Sequence, residues 1–369
     1  MEFVQFHPTG MVWPPSVKGL LVTESVRGDG GILRNSEGKR FMFDYIPEFF
    51  KAETADNEAE ADRWYDDKKN NRRPPELLPR DEVARAINSE IKAGRGSPHG
   101  GIFLDIASRR SPEFIRKRLP SMYHQFKELA DVDITQEPME IGPTCHYVMG
   151  GIEVDADTEL SAVPGLYAVG ECSGGMHGSN RLGGNSLSDL LVFGRRAGEA
   201  AAAYTSGLSS RPAISQDDVE AAERSALAPF EVEGGENPYT IQIDLQDTMN
   251  ELVGIIREGS ELERALGEIE AFKERVKRMK VEGHRQYNPG WHLSIDLRNM
   301  LLVSECIAKA ALARQESRGG HTRDDFPQTD PEWGTKNLVL TLDETGDGVD
   351  LVEKPLPVMP DELKKYFEE

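Results

Sequence analysis

The chain has 369 residues, and its 38% of hydrophobic residues can build cores for two or three domains. Its formal net charge of −21 argues against a surface that binds nucleic acid or an anionic membrane. Its three cysteines are too few and too scattered for a disulfide framework, and no pair has zinc-ligand spacing, so no metal site is predicted.

The N-terminal part of the chain carries signals for short strands and for a charged surface segment. Between residues 20 and 42, apolar runs flank glycines, and Asn35–Gly38 has the composition of a turn, so short strands are expected there. Residues 51–76 are crowded with charge and end in two prolines. This segment is predicted to be a partly helical insertion at the surface.

Two helical patterns follow the charged segment. Asp81 is predicted to cap a helix that ends near Lys92, with Arg80 held just before the cap. A second pattern begins at Pro112, and Pro120 is expected to kink or divide it because proline lacks the backbone N–H that a helix interior needs.

The middle of the chain combines a predicted strand with a predicted long helix. Residues 165–170 form a short apolar run that ends in glycine, which is typical of a buried strand that delivers Glu171 to a site at its carboxyl end. Ser186 and Asp189 have the spacing of a capping box, which predicts a helix from there to about Tyr204.

The C-terminal third is predicted to be mainly helical. Residues 216–316 contain three helical patterns, with Glu274 and Arg278 spaced for an ion pair on one helix face. Residues 317–369 are proline-rich and indicate short strands, loops and a last amphipathic turn. Because no run of about eighteen apolar residues occurs, any membrane attachment is expected to come through partner subunits.

Segments in a fixed order resemble the flavoprotein subunit of succinate dehydrogenase and fumarate reductase. They are Gln5-Phe-His-Pro-Thr-Gly10, Thr23-Glu-Ser-Val-Arg27, Pro79-Arg-Asp-Glu-Val83, Gly142-Pro-Thr-Cys-His146 and His177-Gly-Ser-Asn-Arg-Leu-Gly-Gly-Asn-Ser186. The resemblance implies a mixed α+β and α/β fold. Its expected parts are a capping domain (1–140), the C-terminal part of a Rossmann-like FAD-binding domain (141–210), a helical bundle domain (211–316) and a tail (317–369).

The family's glycine-rich unit for the FAD pyrophosphate does not occur in this sequence. We therefore expect the chain to be the C-terminal part of the subunit, and to bind FAD weakly or not at all by itself. The sequence does not tell whether FAD is attached covalently or non-covalently.

By the resemblance, the substrates are succinate and fumarate, and the residues that bind them are His7, Thr23, His146 and Arg181. An arginine suits this role because its guanidinium can hold a carboxylate through two parallel hydrogen bonds. Any one of these residues alone is unremarkable, since a single histidine in a loop is more often structural. What makes the resemblance to this family specific is that all of the segments occur in the family's order.

The resemblance also implies the catalytic residues. Arg80 matches the arginine that handles the substrate proton, and Glu24 and Arg27 match a relay that connects this arginine to solvent. The alternative for Glu24 and Arg27 is a surface ion pair worth about 0–1 kcal/mol.

For the cofactor, Glu171, Ser186 and Leu187 match the family's contacts to FAD. A helix that begins near Ser186 would direct its positive end at the ring as it takes up negative charge. The alternative is a tight turn with an ordinary helix cap. The expected partners are membrane anchor subunits and an iron–sulfur subunit, which pass electrons to quinone on the cytoplasmic side of the inner membrane.

Two other functions remain open at this stage. L-Aspartate oxidase has similar segments around His7, Arg80 and His146, although the residues around Arg181 match the dehydrogenase better. A chain of this kind could instead be a non-catalytic fragment that only docks an iron–sulfur partner, and a yellow flavin spectrum would exclude that interpretation. The preferred direction of the reaction is not encoded in these motifs.

Overall fold

The computed structural model describes residues 1–344 and 346–365. Contacts divide the chain into two compact units. The sheet unit is Gln5–Tyr147, and the helical unit is Met1–Val4 together with Val148–Glu369. The predicted division into four parts is finer than this one, and its boundaries stay predictions.

The sheet unit contains a four-stranded sheet with the order β1-β4-β3-β2. Its strands are β1 (Val4–Met11), β2 (Ile32–Arg34), β3 (Ile102–Asp105) and β4 (Met139–Val148). β3 runs antiparallel to both β2 and β4, and Leu104 lies opposite Leu33 on one side and Met139 on the other. All three side chains are buried, as expected where alternate residues of a strand face the core.

The sheet unit also contains five α-helices. They are α1 (Ser25–Gly28), α2 (Glu58–Trp64), α3 (Arg80–Lys92), α4 (Pro112–Arg118) and α5 (Pro120–Ala130). The predicted division of the second helical pattern at Pro120 is confirmed. α3 buries Val83, Ala84 and Ile87 on one face, and it ends at Lys92 as predicted.

The strand prediction for residues 20–42 is only partly right. Ile32–Arg34 is a strand and Asn35–Gly38 is a turn, in which the Gly38 N–H donates to the Asn35 carbonyl. Phe41–Tyr45, however, is a 3₁₀ helix. Phe41 and Met42 in this 3₁₀ helix are both fully buried.

The predicted cap of α3 is wrong by two positions. The N-cap is Pro79, whose backbone is extended, and no side chain caps the helix. Arg80 is therefore the first helical residue and Asp81 lies inside the first turn. Proline fits the boundary because the first backbone N–H groups of a helix have no helical partner.

The segment 51–76 is partly helical, as predicted, but it does not lie wholly at the surface. It contains α2 and ends in the 3₁₀ turn Pro75–Leu77. Glu76 in this turn has no solvent exposure. A carboxylate can be buried in this way when an arginine binds it, and Arg40 does so.

The helical unit has six α-helices and a hairpin among its described residues. They are α6 (Asn185–Ser206), α7 (Gln216–Leu227), α8 (Pro238–Leu252), α9 (Gly259–Val276), α10 (Pro289–Ala313), α11 (Asp361–Lys364), and the antiparallel strands β5 (Lys336–Leu342) and β6 (Val349–Pro355). α8, α9 and α10 pack on one another and bury apolar stripes that include Leu245, Ile269 and Leu297. None of the described helices has the length and apolar composition needed to cross a membrane.

Two local predictions in the helical unit are wrong. Residues 165–170 do not form a strand, because their one ladder contact is the bridge between Leu160 and Tyr167. A parallel strand needs neighbours on its edges, and the described residues offer none here. Glu274 pairs with Lys277 at 2.7 Å instead of with Arg278, since the i, i+3 position is also within reach.

The predicted capping box before α6 is also wrong, although the helix itself is confirmed. The N-cap is Gly184, with φ +84, and no side chain caps the helix. Only glycine adopts this left-handed backbone without strain, so the helix begins at Asn185 and Ser186 lies inside its first turn.

Candidate functional site

The sheet unit brings the three predicted catalytic residues together in what we call the Arg80 cluster (Arg80, Glu24 and Arg27). Glu24 is the N-cap of α1, Arg27 lies within α1 and Arg80 begins α3. The Arg80 Nε–H donates to Glu24 Oε2 at 3.2 Å, and Arg27 NH2 lies 3.9 Å from the same oxygen. One carboxylate oxygen thus links two guanidinium groups from separate helices.

The position of Arg80 breaks a local preference of helices. A cation in the first turn faces the positive end of the helix dipole, which costs about 0.3–1 kcal/mol. Asp81 and Glu82 in the same turn offset this cost. Such a conflict between local preference and structure is more typical of functional positions than of structural ones.

Arg27 is the buried member of the Arg80 cluster, with 1% of its surface exposed. Its NH1 donates to the backbone carbonyl of Glu76 at 2.5 Å. Its Nε and NH2 have no hydrogen-bond partner among the described residues. Burial lowers the pKa of Arg27 to about 10, although the negative charge of Glu24 acts in the opposite direction.

Glu24 is the most solvent-exposed member of the Arg80 cluster within the sheet unit. Its side chain is 51% exposed, against 1% for Arg27. The resemblance implied that Glu24 and Arg27 together connect Arg80 to solvent. In this geometry Glu24 can exchange protons with water while it contacts Arg80, and Arg27 lies behind it as a fixed positive charge.

Two of the predicted substrate residues face each other across neighbouring strands. His7 in β1 and His146 in β4 have ring centroids 5.4 Å apart and an interplanar angle of 68°. His7 is buried, and its Nδ1 lies 3.1 Å from the Thr9 carbonyl oxygen. Burial lowers the pKa of His7 to about 3, and the charges of Arg27 and Arg80 lower it as well, so its imidazole is neutral near pH 7.

Thr23 lies at the start of α1, directly before Glu24. Its hydroxyl is 3.4 Å from both the Ser25 hydroxyl and the Ser25 backbone nitrogen. The side chain is half-buried, so the hydroxyl is held near the Arg80 cluster without being sealed in the core. The sheet unit therefore carries His7, Thr23, Glu24, Arg27, Arg80 and His146.

The remaining predicted residues belong to the helical unit and gather at the beginning of α6. Arg181 is buried, and its NH1 donates to the Leu182 carbonyl at 3.2 Å and to Ser186 Oγ at 3.4 Å. Glu171 accepts a hydrogen bond from the Val148 N–H at 3.0 Å. Leu187 is 67% exposed.

These features of the helical unit fit contact with a flavin. The first turn of α6 has no side-chain cap, so its positive end is available to an electron-rich group. Leu187 and Leu191 form an exposed apolar surface on the same helix, suited to cover by a ring system. Among residues 1–344 and 346–365, no group of three or more side chains could hold a metal ion.

Several residues behind the Arg80 cluster were missed by the sequence analysis. Glu76 and Tyr65 form hydrogen bonds with Arg27, and Arg40 binds the Glu76 carboxylate. A signal for Glu76 was present, because it stands between prolines four residues before Arg80. Its burial could not be predicted, because the residues around it in the sequence are mostly charged.

Comparison with known proteins identifies the family. A profile described as FAD binding domain matches residues 1–187, and one described as fumarate reductase flavoprotein C-term matches residues 242–365. The chain is 41% identical to a subunit of the fumarate reductase (CoM/CoB) of Methanothermobacter marburgensis over 333 residues, which cover 90% of this chain and 55% of that protein.

Solved structures agree with this result. A structure of Mycobacterium smegmatis Sdh1 in complex with UQ1 matches with a TM-score of 0.82 and 60% identity, over 100% of this chain and 57% of that chain. A mutant of Escherichia coli quinol fumarate reductase FrdA matches with a TM-score of 0.82 and 34% identity, over 98% of this chain and 60% of that chain.

The chain spans about half the length of the curated relatives it matches. Within that span, the mixed α/β fold, the helical C-terminal part and the FAD-binding profile agree with the fold and the cofactor that the sequence motifs implied. The chain belongs to the family of FAD-dependent flavoprotein subunits of succinate dehydrogenase and fumarate reductase.

Proposed function

We propose that this protein interconverts succinate and fumarate as part of an FAD-dependent oxidoreductase. The observation that carries the proposal is the Arg80 cluster, in which Glu24 Oε2 contacts Arg80 Nε at 3.2 Å and Arg27 NH2 at 3.9 Å. Oxidation of succinate removes hydrogen from two adjacent carbons, one as a hydride and one as a proton. Bound FAD supplies the hydride acceptor.

Arg80 is the proposed group that takes the proton in oxidation and returns it in reduction. An arginine is an unusual base because its pKa lies far above neutrality. The carbon acid that it serves is weaker still, so a strong base that loses its proton only transiently is chemically matched to the step. Glu24, which contacts Arg80 and solvent, would pass the proton on.

The substrate is a dianion, and the proposed binding residues supply charge and hydrogen-bond donors for it. Arg181 is the proposed clamp for one carboxylate, with Thr23, His7 and His146 as further donors. The neutral state of His7 supports a role as hydrogen-bond donor rather than as a positive charge. The net positive charge then comes from the arginines.

The FAD ring is proposed to lie against the beginning of α6, held by Glu171, Ser186 and Leu187. The uncapped helix end supports this assignment, because it stabilises negative charge placed beside it. Partners are proposed to be membrane anchor subunits and an iron–sulfur subunit, with electrons passing to quinone. Peripheral attachment through these partners, on the cytoplasmic side of the inner membrane, agrees with the acidic composition.

The test is anaerobic addition of succinate to the FAD-loaded protein, followed by its visible flavin spectrum. We expect succinate to bleach the flavin absorbance and fumarate to restore it, with Arg80→Gln unable to do either. Bleaching by L-aspartate but not by succinate would assign the protein to the oxidase reaction instead. A protein that carries FAD and responds to neither compound would contradict the proposal.

A further inference from the structure

The charged segment 51–76 supplies buried contacts to Arg27 that its composition did not predict. The Glu76 carbonyl accepts the hydrogen bond from Arg27 NH1 at 2.5 Å, and the Tyr65 hydroxyl donates to the Arg27 backbone carbonyl at 2.9 Å. Both the guanidinium and the peptide of Arg27 are thus held by this one segment. Arg27 has no other side-chain hydrogen bond among the described residues.

Glu76 is itself fixed by a two-pronged ion pair. Arg40 Nε lies 2.6 Å from Glu76 Oε1, and Arg40 NH2 lies 2.9 Å from Glu76 Oε2, with both side chains buried. Arg40 NH1 also donates to Asp62 in α2 at 3.0 Å. A guanidinium and a carboxylate joined by two parallel bonds set each other's orientation as well as their separation.

The turn that contains Glu76 connects the helices of the Arg80 cluster. Pro75–Leu77 packs against α1, which carries Arg27, and against α3, which begins with Arg80. Pro74, Pro75 and Pro79 restrict the backbone around it. A change in the position of Glu76 would therefore shift both Arg27 and Arg80.

We propose that Glu76, Arg40 and Tyr65 are positioning residues that hold Arg27 against Glu24, so that the Arg80 cluster is ordered for proton transfer. This inference rests on the proposed function. The effect of one charge on another depends on their separation. Arg27 NH2 lies 3.9 Å from Glu24 while NH1 of the same guanidinium is anchored at the Glu76 carbonyl. The segment 51–76 thereby gains a role in the reaction without touching the substrate.

The chain offers a matched control for the carboxylate. Glu90 is also buried in the sheet unit and is also bound by an arginine, with Arg95 NH2 at 2.7 Å from its Oε1. The Tyr45 hydroxyl donates to Glu90 at 2.6 Å, and Asn35 donates at 2.8 Å. None of these described partners belongs to the Arg80 cluster.

The experiment compares Glu76→Gln with Glu90→Gln in the FAD-loaded enzyme. For Glu76→Gln we expect kcat for succinate oxidation to fall about 10-fold with KM within about 2-fold, because substrate contacts are unchanged. The solvent deuterium isotope effect on kcat should rise. Amide hydrogen exchange at Gly28 and Asp29, which bond to Glu24 and Ser25, should quicken in Glu76→Gln and not in Glu90→Gln.

A second pair of variants tests the same proposal if Glu76→Gln does not fold. Tyr65→Phe removes one hydrogen bond to Arg27, and Tyr45→Phe removes one to Glu90. We expect kcat to fall about 2- to 3-fold in the first and to stay unchanged in the second. Equal kcat and isotope effects in the two tyrosine variants, or in the two glutamate variants, would overturn the positioning role while leaving an active wild type. A wild type without succinate turnover would overturn the proposed function and this inference with it.

Discussion

Fully buried arginines occur in both units of this protein, but they are bonded very differently. In the helical unit, Arg314 donates to Glu2, Glu316 and two backbone carbonyls. Arg323 holds Asp325 through two bonds and also donates to backbone carbonyls. In the sheet unit, the Arg27 guanidinium donates one hydrogen bond, from NH1 to the Glu76 carbonyl, and its Nε and NH2 have none among the described residues.

We propose that this difference separates arginines that support the fold from an arginine that serves chemistry. Burial alone does not distinguish them, since Arg27, Arg314 and Arg323 are all at most 2% exposed. A buried cation is costly unless its hydrogen bonds are satisfied, so natural structures rarely leave such a group incomplete. Arg27 is incomplete, and it lies 3.9 Å from the carboxylate that contacts Arg80.

The largest expected effect separates chemistry from stability at Arg80. We expect Arg80→Gln to lose about 10²–10⁴-fold in kcat, the usual contribution of general acid–base catalysis, while FAD binding and malonate binding persist. The matched control is Arg85→Gln on the same helix, whose side chain is similarly exposed and pairs with Asp81 and Glu82. A loss in Arg80→Gln that disappears at saturating succinate would make Arg80 a binding residue only.

The second prediction concerns the satisfied cluster of the helical unit. Arg314→Gln removes a fully buried ion-pair partner from both Glu2 and Glu316, and we expect it to lower the free energy of unfolding by about 3–5 kcal/mol. Arg318→Gln, which removes a partly exposed partner of the same Glu316, should cost much less. Urea unfolding measures both. Equal losses of unfolding free energy in the two variants would show that the burial of Arg314 does not determine its contribution to stability.

The third prediction tests the clamp. Arg181→Lys keeps the charge but loses the two-pronged geometry, so we expect a higher KM for succinate and a kcat lower by about 10-fold. Arg195→Lys, on the exposed face of α6, is the control. His7→Ala and His146→Ala should weaken substrate binding less. Unchanged kinetics in Arg181→Lys would remove this residue from the site.

The fourth prediction concerns acid. Burial lowers the pKa of His321 in the helical unit, and that of His7 in the sheet unit, to about 3. Between about pH 6.5 and 3 the unfolded chain binds protons that the folded chain does not, so the free energy of unfolding falls as the pH is lowered through this range. Each histidine contributes at most about 1.4 kcal/mol per pH unit. Urea unfolding at several pH values should show a shallower slope in His321→Gln, and an unchanged slope would contradict this account.

Much of the Arg80 cluster followed from local sequence. Glu24 and Arg27 are three residues apart, so one helical turn brings them together, and Pro79 places Arg80 at a helix start. The meeting of Arg80 with Glu24 came from the resemblance, because it joins residues far apart in the sequence. In the C-terminal part, apolar periodicity predicted three helices in residues 216–316, whereas the structure has four there, α7 to α10, and α7 has no buried residues.

The support behind Arg27 could not be predicted in the same way. Glu76 and Asp62 lie in a run of charge that is typical of an exposed surface, and only tertiary pairing with Arg40 buries them. The wrong caps of α3 and α6 have a related cause. At both helix starts, backbone geometry set by Pro79 or Gly184 prevailed over a side chain with capping potential.

The central claim, that the incomplete bonding of Arg27 serves chemistry and not stability, is tested most directly by Arg27→Gln. Its free energy of unfolding and its succinate turnover should be measured on the same FAD-loaded preparation. The account predicts turnover lower by at least about 10-fold with stability unchanged or slightly higher, since an under-bonded buried cation is removed. A loss of stability near the 3–5 kcal/mol expected for Arg314→Gln, with normal turnover in the folded enzyme, would contradict it.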